Sequence, residues 1–361
     1  MKKIEMSNTQ LFFLIIGFLL GTTSVLNPAA AAQQDSWLAF ILGWIGGLLL
    51  LLIYVSITIL NPGKTLVDIL LETFGKFFGT VVSIIYIWYF IHLAAVVLRF
   101  FGEYMVTVLY PETPVVFIII CLMLGVAYAV RSGLEVTVRT NELLMPILIL
   151  LETTLSLSLI GMYNFNHFLP FLEQGFGPIL KTALTGVMVP YGENIVLLMV
   201  FPFINKKEEL RKTSFLAFIA AGVLFLAILV RDLLTLGPEM LKKASFPSDI
   251  SAKLIPGIQI DPIVAATLVI SGGIKISICT YAAVMAISQL LKLDDYNVFV
   301  LPVTAIIVSI SIWSYDSYIH GVQWIPQEWT MYSFPFQVII PVILLVISLF
   351  KRYSKSKEHF R

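Results

Sequence analysis

A carboxylate and an ammonium stand inside otherwise apolar runs of this chain, each among residues that break or bend helices. The carboxylate is Glu193, in Val187-Met188-Val189-Pro190-Tyr191-Gly192-Glu193-Asn194. Proline removes a backbone donor and clashes with the preceding turn, and glycine tolerates dihedrals that other residues avoid, so a helix is interrupted here. Freed backbone groups and a charge at membrane depth survive only where they face protein or a water-filled cavity, which marks a site. Glu193 fits two readings: a ligand-facing or gating carboxylate, or a group that caps the second half of the broken helix. The ammonium is Lys275, in Ser271-Gly272-Gly273-Ile274-Lys275-Ile276-Ser277. Ser271, Lys275 and Cys279 recur every fourth residue and share a small, polar face that should look inward. Lys275 could bind a carboxylate ligand, pair with Glu193, or take the place of a sodium ion between the first and eighth spans. The third would leave a protein that binds without pumping.

Other polar residues have plainer readings. Tyr89 and Leu93 lie one turn apart and share a face, with Tyr86 and His92 pointing to either side. His92 reads as a helix-packing donor, and Arg99 with Glu103 as a structural pair one turn apart. Glu152, beside Thr153 and Thr154, belongs to a polar interior network with nothing to place it at a ligand. There is no Walker loop, HExxH or serine elbow, and His167, His320 and His359 are isolated, so neither an enzyme nor a cofactor or metal site is expected.

These residues need helices to hold them. The chain has 361 residues, 58% hydrophobic and 12% charged, which excludes an ordinary soluble domain. Net charge is +1, giving no basic field for nucleic acid, and both cysteines, Cys121 and Cys279, lie in apolar runs. Taking about 20 apolar residues per crossing, the runs predict ten spans: 9–32, 36–60, 78–109, 113–131, 140–161, 179–203, 212–236, 260–290, 296–314 and 330–350. The excess of Lys and Arg in alternate connections, among them Lys64, Lys76, Arg131, Arg139, Lys206, Lys207, Arg211, Lys212 and Lys292, places both termini in the cytoplasm. The 237–259 stretch, with Lys242, Lys243 and Lys253, is the exception and reads as a small ordered cap.

The first span carries a second break. Gly17 and Gly21 precede Thr22-Thr23-Ser24, and Asn27-Pro28 follow. Spans one and six are thus both interrupted, five helices apart, as in inverted-repeat transporters whose half-helix ends surround a midplane substrate. The expectation is a single all-α transmembrane domain over 1–361, with a 5+5 inverted repeat (9–161 and 179–350) and a cytoplasmic tail at 351–361.

Nearly the whole chain resembles the B subunits of nutrient germinant receptors, the spore germination permease family of the amino acid–polyamine–organocation superfamily. The likeness rests on the order and spacing of the glycine-broken first span, Gly75-Lys76-Phe77, Glu112-Thr113-Pro114, the Arg131–Arg139 connection, Gly175-Phe176-Gly177-Pro178, Tyr191-Gly192-Glu193 and the Lys206–Lys212 loop. The resemblance implies a LeuT-like fold and a small nutrient, often an amino acid, in the old transporter pocket. Carried onto matching positions, that pocket would be lined by Gly21, Thr22, Thr23, Tyr89, Leu93, Tyr191, Gly192 and Lys275. It further implies A and C partner subunits and the inner membrane of the spore. Lys275 departs from alanine-sensing members, where a small hydroxyl residue stands, and Thr22 and Thr23 are more polar than those relatives have. An ion-coupled amino acid transporter is the alternative function, and a passive membrane scaffold for the partner subunits a third.

Overall fold

The computed structural model describes residues 5–23, 26–255, 261–315 and 317–359. Ser24 of the first break, Pro256 of the cap, and the terminal Lys2, Lys3 and Arg361 lie outside the described residues. The described chain is helical, without a named strand.

The long helices are α1 (Asn8–Thr23), α2 (Ser36–Leu60), α3 (Leu66–Tyr104), α4 (Val115–Ser132), α5 (Leu134–Ser158), α6 (Phe176–Gly186) and α7 (Leu210–Leu236). Two short cap helices follow, α8 (Pro238–Lys243) and α9 (Pro247–Lys253), then α10 (Asp261–Leu291) and α11 (Asn297–Trp313). Helices α12 (Tyr318–Trp324), α13 (Thr330–Phe334) and α14 (Ile340–His359) run on through π turns at Ile325–Trp329 and Pro335–Ile339. Among the described residues eight helical stretches are long and apolar enough to cross a membrane, and Asn8–Thr23 is a shorter apolar helix. The remaining expected span is α5, of 25 residues, which carries Glu135, Arg139, Glu142 and Glu152.

Several boundaries differ from expectation for local reasons. Helix α3 starts at Leu66, twelve residues before the expected 78, because Thr65 and Asp68 form a reciprocal capping box: Thr65 N donates to Asp68 Oδ2 at 3.0 Å, and Asp68 N to Thr65 Oγ1 at 3.4 Å. The early turns then fold back at Gly75, whose φ of 78° favours glycine. The last span begins at Tyr318, twelve residues before the expected 330, since Pro326 and Pro335 sit at the starts of π turns, where a missing N–H costs little.

The breaks in the first and sixth spans are both present. Helix α1 ends at Thr23, whose hydroxyl donates back to the Leu19 and Leu20 carbonyls at 3.2 and 3.4 Å, satisfying acceptors that a helix end leaves open. In the sixth span α6 gives way to a π turn at Val187–Tyr191 with extended backbone at Val189, then to a 3-10 helix at Gly192–Met199. Packing around the breaks is reciprocal: α1 packs on α7 as α6 packs on α2, and α3 on α11 as α10 on α4, with α3 against α10 between them. A two-fold relation between halves requires that pairing.

The lysine- and arginine-rich connections gather at one end. There Met6 pairs with Phe203 and Asn205 through backbone hydrogen bonds of 2.9 and 3.0 Å, Glu5 N donates to Glu135, and Lys351 Nζ to the Glu72 carbonyl. The other end is closed by Trp37 against Phe168 and Phe171, by Asp35 accepting from Leu172 N, and by Tyr318 donating to the Ser245 carbonyl of the cap.

The fold-back in α3 can be tested at Gly79, where a Cβ would lie 2.7 Å from both Leu70 O and Leu71 Cα. Gly79→Ala should destabilise the purified protein by roughly 1–3 kcal/mol, the usual overpacking range. Gly125→Ala, where a Cβ meets nothing within 4 Å, should leave the thermal midpoint unchanged or raised. Equal midpoints for the two variants would disprove the close approach.

Candidate functional site

Glu193 and Lys275 meet. Helices α1 and α10 are brought close at Gly21, where a Cβ would lie 2.7 Å from the Ser271 carbonyl and 2.8 Å from Lys275 Cβ. Only a residue without a side chain lets α1 and α10 approach so nearly. Lys275 Nζ then donates to Glu193 Oε2, which also accepts from Thr22 Oγ1 at 2.9 Å. The ammonium lies 4.3 Å from the centroid of the Phe18 ring, a cation–π contact. Lys275 is 0% and Glu193 2% exposed, so each satisfies the other without water. One ion pair thus joins α1, the segment after the sixth-span break, and α10. The shared face of α10 reads as expected, since Ser271, Lys275 and Cys279 are all fully buried.

Tyr89 faces a different neighbour. Its hydroxyl accepts from Gln337 Nε2 at 2.7 Å, and its ring stacks on Phe336, with centroids 4.8 Å apart and planes 15° apart. The Tyr54 hydroxyl lies 2.7 Å from the Gln337 carbonyl and 3.0 Å from that of Gly192, and Tyr86 donates to the Phe336 carbonyl at 2.7 Å. These tyrosines serve carbonyls at the Pro335–Ile339 turn and the sixth-span break, where the regular ladder is interrupted. Gly192 touches the Gln337 side chain, so Tyr89 and Gly192 meet through Gln337. Leu93 is buried in the apolar core. Sequence reasoning missed Tyr54 and Gln337; the visible signal was a lone amide inside an apolar run.

Beside the break lies a cavity in which water-sized molecules find about 60 Å³ of room, lined by Thr23, Phe40, Glu152, Tyr191, Phe225 and Thr267 among others. Of the residues predicted for a pocket, Thr23 and Tyr191 are on this wall. Gly21, Thr22 and Lys275 form the polar junction next to it, and Tyr89, Leu93 and Gly192 pack behind. Glu152 is also on the wall, paired with Arg231 Nη1 at 3.1 Å, while Arg231 Nε holds Asp232 at 2.9 Å and its Nη2 donates to Ser248 of the cap at 2.7 Å. Arg231 and Asp232 were legible as adjacent charges within the apolar 212–236 run, yet were not singled out.

The remaining candidates are structural. His92 packs among Trp88, Trp324, Trp329 and Tyr332, and Arg99 pairs with Glu103 at 2.7 Å. Among the described residues no three His, Cys, Asp or Glu side chains are grouped to hold a metal.

Removing one partner of a buried pair leaves an uncompensated charge, a loss of roughly 3–5 kcal/mol. Glu193→Gln and Lys275→Met should each lower thermal stability by that order, and the double variant should recover most of the loss. Additive losses in the double variant would show that the two charges do not depend on each other.

Comparison with known proteins agrees with this architecture. Residues 5–319 match the family described as Spore germination protein. Spore germination protein KB of Bacillus subtilis (strain 168) is 30% identical over 99% of this chain and 98% of its own length. Spore germination protein YndE of the same organism is 24% identical over 98% of each chain. Among solved structures, MhsT in complex with L-phenylalanine superposes with a TM-score of 0.67 at 13% identity, covering 96% of this chain and 89% of that one. A mutant manganese transporter of Eremococcus coleocola gives 0.62 at 14% identity, covering 94% and 84%. Helices interrupted at the first and sixth spans, a transporter-like fold and a full-length match to germination proteins together make this chain a member of the spore germination protein family.

Proposed function

We propose that this chain is the nutrient-binding B subunit of a germinant receptor, which senses a small solute, an amino acid or a related compound, and passes the event to A and C partner subunits. The observation that carries this reading is the cavity at the junction of the two broken helices, walled by Thr23 before one break and by Val189, Pro190 and Tyr191 within the other. A ligand there touches both interrupted segments at once. A shift in their relative position follows only if the ligand binds one arrangement better than the other.

Several features support sensing over ion-coupled transport. The pairing of Lys275 with Glu193 beside α1 supports the reading that an ammonium of the protein stands where a coupling cation would bind. The MhsT structure supports an amino-acid-sized ligand by analogy of fold, since it was solved with L-phenylalanine. Charge distribution supports cytoplasmic termini, because the Lys- and Arg-bearing connections lie at the end where Met6 and Lys351 are held. The cap with α8 and α9 then faces outward, as entry of a nutrient from outside requires. The inner membrane of the spore is the corresponding location. The ligand pocket centres on Thr23 and Tyr191, with Gly21, Thr22, Gly192, Glu193 and Lys275 as the hinge beside it and Tyr89 and Leu93 as its support.

Ligand binding to the native state raises stability by about 2.7 kcal/mol at a concentration 100 times Kd. Purified protein screened against amino acids, sugars and nucleosides should show one class that raises the thermal midpoint, and Tyr191→Ala should abolish that rise. In spores the same substitution should remove the germination response to that nutrient at unchanged protein level. A response that survives Tyr191→Ala would place the ligand elsewhere.

A further inference from the structure

Beside the cavity two carboxyl groups share one guanidinium. Glu152, Arg231 and Asp232 form one buried group, exposed by 7%, 1% and 1%, with two carboxylates against one guanidinium. Asp232 uses both oxygens: Oδ1 accepts from Arg231 Nε at 2.9 Å and Oδ2 from Ser248 Oγ at 2.8 Å. Glu152 uses one, since Oε2 accepts from Arg231 Nη1 at 3.1 Å and Oε1 accepts from none of the described residues. Of the three, only Glu152 lines the cavity. A charge left over in a low-dielectric interior attracts a counter-charge into whatever space adjoins it.

A second polar group points to the same occupant. The Tyr191 hydroxyl is buried, has no partner among the described residues, and belongs to a side chain on the cavity wall. Several buried hydroxyls lack a partner among the described residues, and that of Tyr191 is the one whose residue lines this cavity, where a bound molecule would supply a partner. The rest of the lining is largely aliphatic and aromatic, including Leu20, Phe40, Phe225 and Leu268. No lysine or arginine is in it, because Lys275 is turned to Glu193 and Arg231 lies behind Glu152. The wall thus offers an anion for a cation and an apolar surface for a hydrocarbon, with no positive side chain for a free carboxylate. Its size is matched to few atoms: 60 Å³ of room holds about four to six waters at ~10–15 Å³ each.

We propose that this cavity is a site for a small aliphatic primary amine, held as its ammonium on Glu152 Oε1 with the hydrocarbon against Leu20, Phe225 and Leu268. The inference rests on the reading of this cavity as the ligand pocket and narrows it, because the carboxylate of an amino acid is not what the site selects.

Four probes of one shape separate the charges: isobutylamine, L-valine, isobutanol and isovalerate. Each is titrated at pH 7 into the purified full-length protein while thermal stabilisation is recorded. Isobutylamine should bind at least tenfold more tightly than isobutanol and at least as tightly as L-valine, and isovalerate should give no stabilisation. In Glu152→Gln the tenfold preference for amine over alcohol should fall to about one. Because Arg231 loses one of its two carboxylate partners in that variant, the wild-type ratio is an independent readout if the variant fails to fold. Equal binding of amine and alcohol by the wild type, or a preference retained in Glu152→Gln, would overturn the proposal. Should L-valine or another nutrient bind at this cavity without the amine preference, the amine site falls and the ligand pocket stands. Should nothing in the wider nutrient panel stabilise the protein, both fall.

Discussion

A membrane interior has no water with which to hydrogen-bond an interrupted helix, so every break must be matched by protein. In this chain the match at the centre is a single carboxylate, Glu193, held by Lys275 and Thr22. The arrangement brings an ammonium from α10 and a hydroxyl from α1 to a carboxylate on the segment that has lost its regularity. Glycine at position 21 is the permission for it, because the backbones of α1 and α10 could not otherwise approach. The tyrosines at 54 and 86 do the same service for the turn before α14, by donating to carbonyls there.

The ion pair bears on mechanism. A sodium-coupled transporter needs a metal cation that enters and leaves, and a covalently attached ammonium cannot leave. Lys275 joins α10 to α1 through Glu193 and Thr22. What can still change is occupancy of the adjoining cavity, whose walls belong to both broken segments, to the cap through Ser248, and to α5 through Glu152. The cap residue Ser248 is tied to Arg231 and Asp232, so Glu152 on the cavity wall is two hydrogen bonds, through Arg231, from the cap.

Much of the architecture was legible in the sequence. Proline and glycine at the sixth span, glycine and threonine at the first, and the five-helix separation between them specify an inverted-repeat fold without any contact information. Lys275 stood out because a lysine in an apolar run needs a reason, and its pairing with Glu193 was one of three open readings. Helical periodicity correctly put Tyr89 and Leu93 on one face but could not say which helix lies opposite. The Tyr89 ring meets Phe336 and Trp329, and neither Tyr89 nor Leu93 lines the cavity. The roles of Gln337 and Tyr54 depend on carbonyls exposed by π turns, which leave no mark in composition. Arg231 and Asp232 were visible as charges, but their connection to Glu152, 79 residues away, is a product of packing alone.

The central claim is that the built-in ammonium makes a sensor from a transporter fold. It is tested most directly by reconstituting the protein into sealed vesicles, imposing a sodium or proton gradient, and measuring accumulation of a labelled ligand that stabilises the purified protein. The account predicts binding to the vesicles with no accumulation above the equilibrium level and no effect of collapsing the gradient. Gradient-driven accumulation that an ionophore abolishes would contradict it.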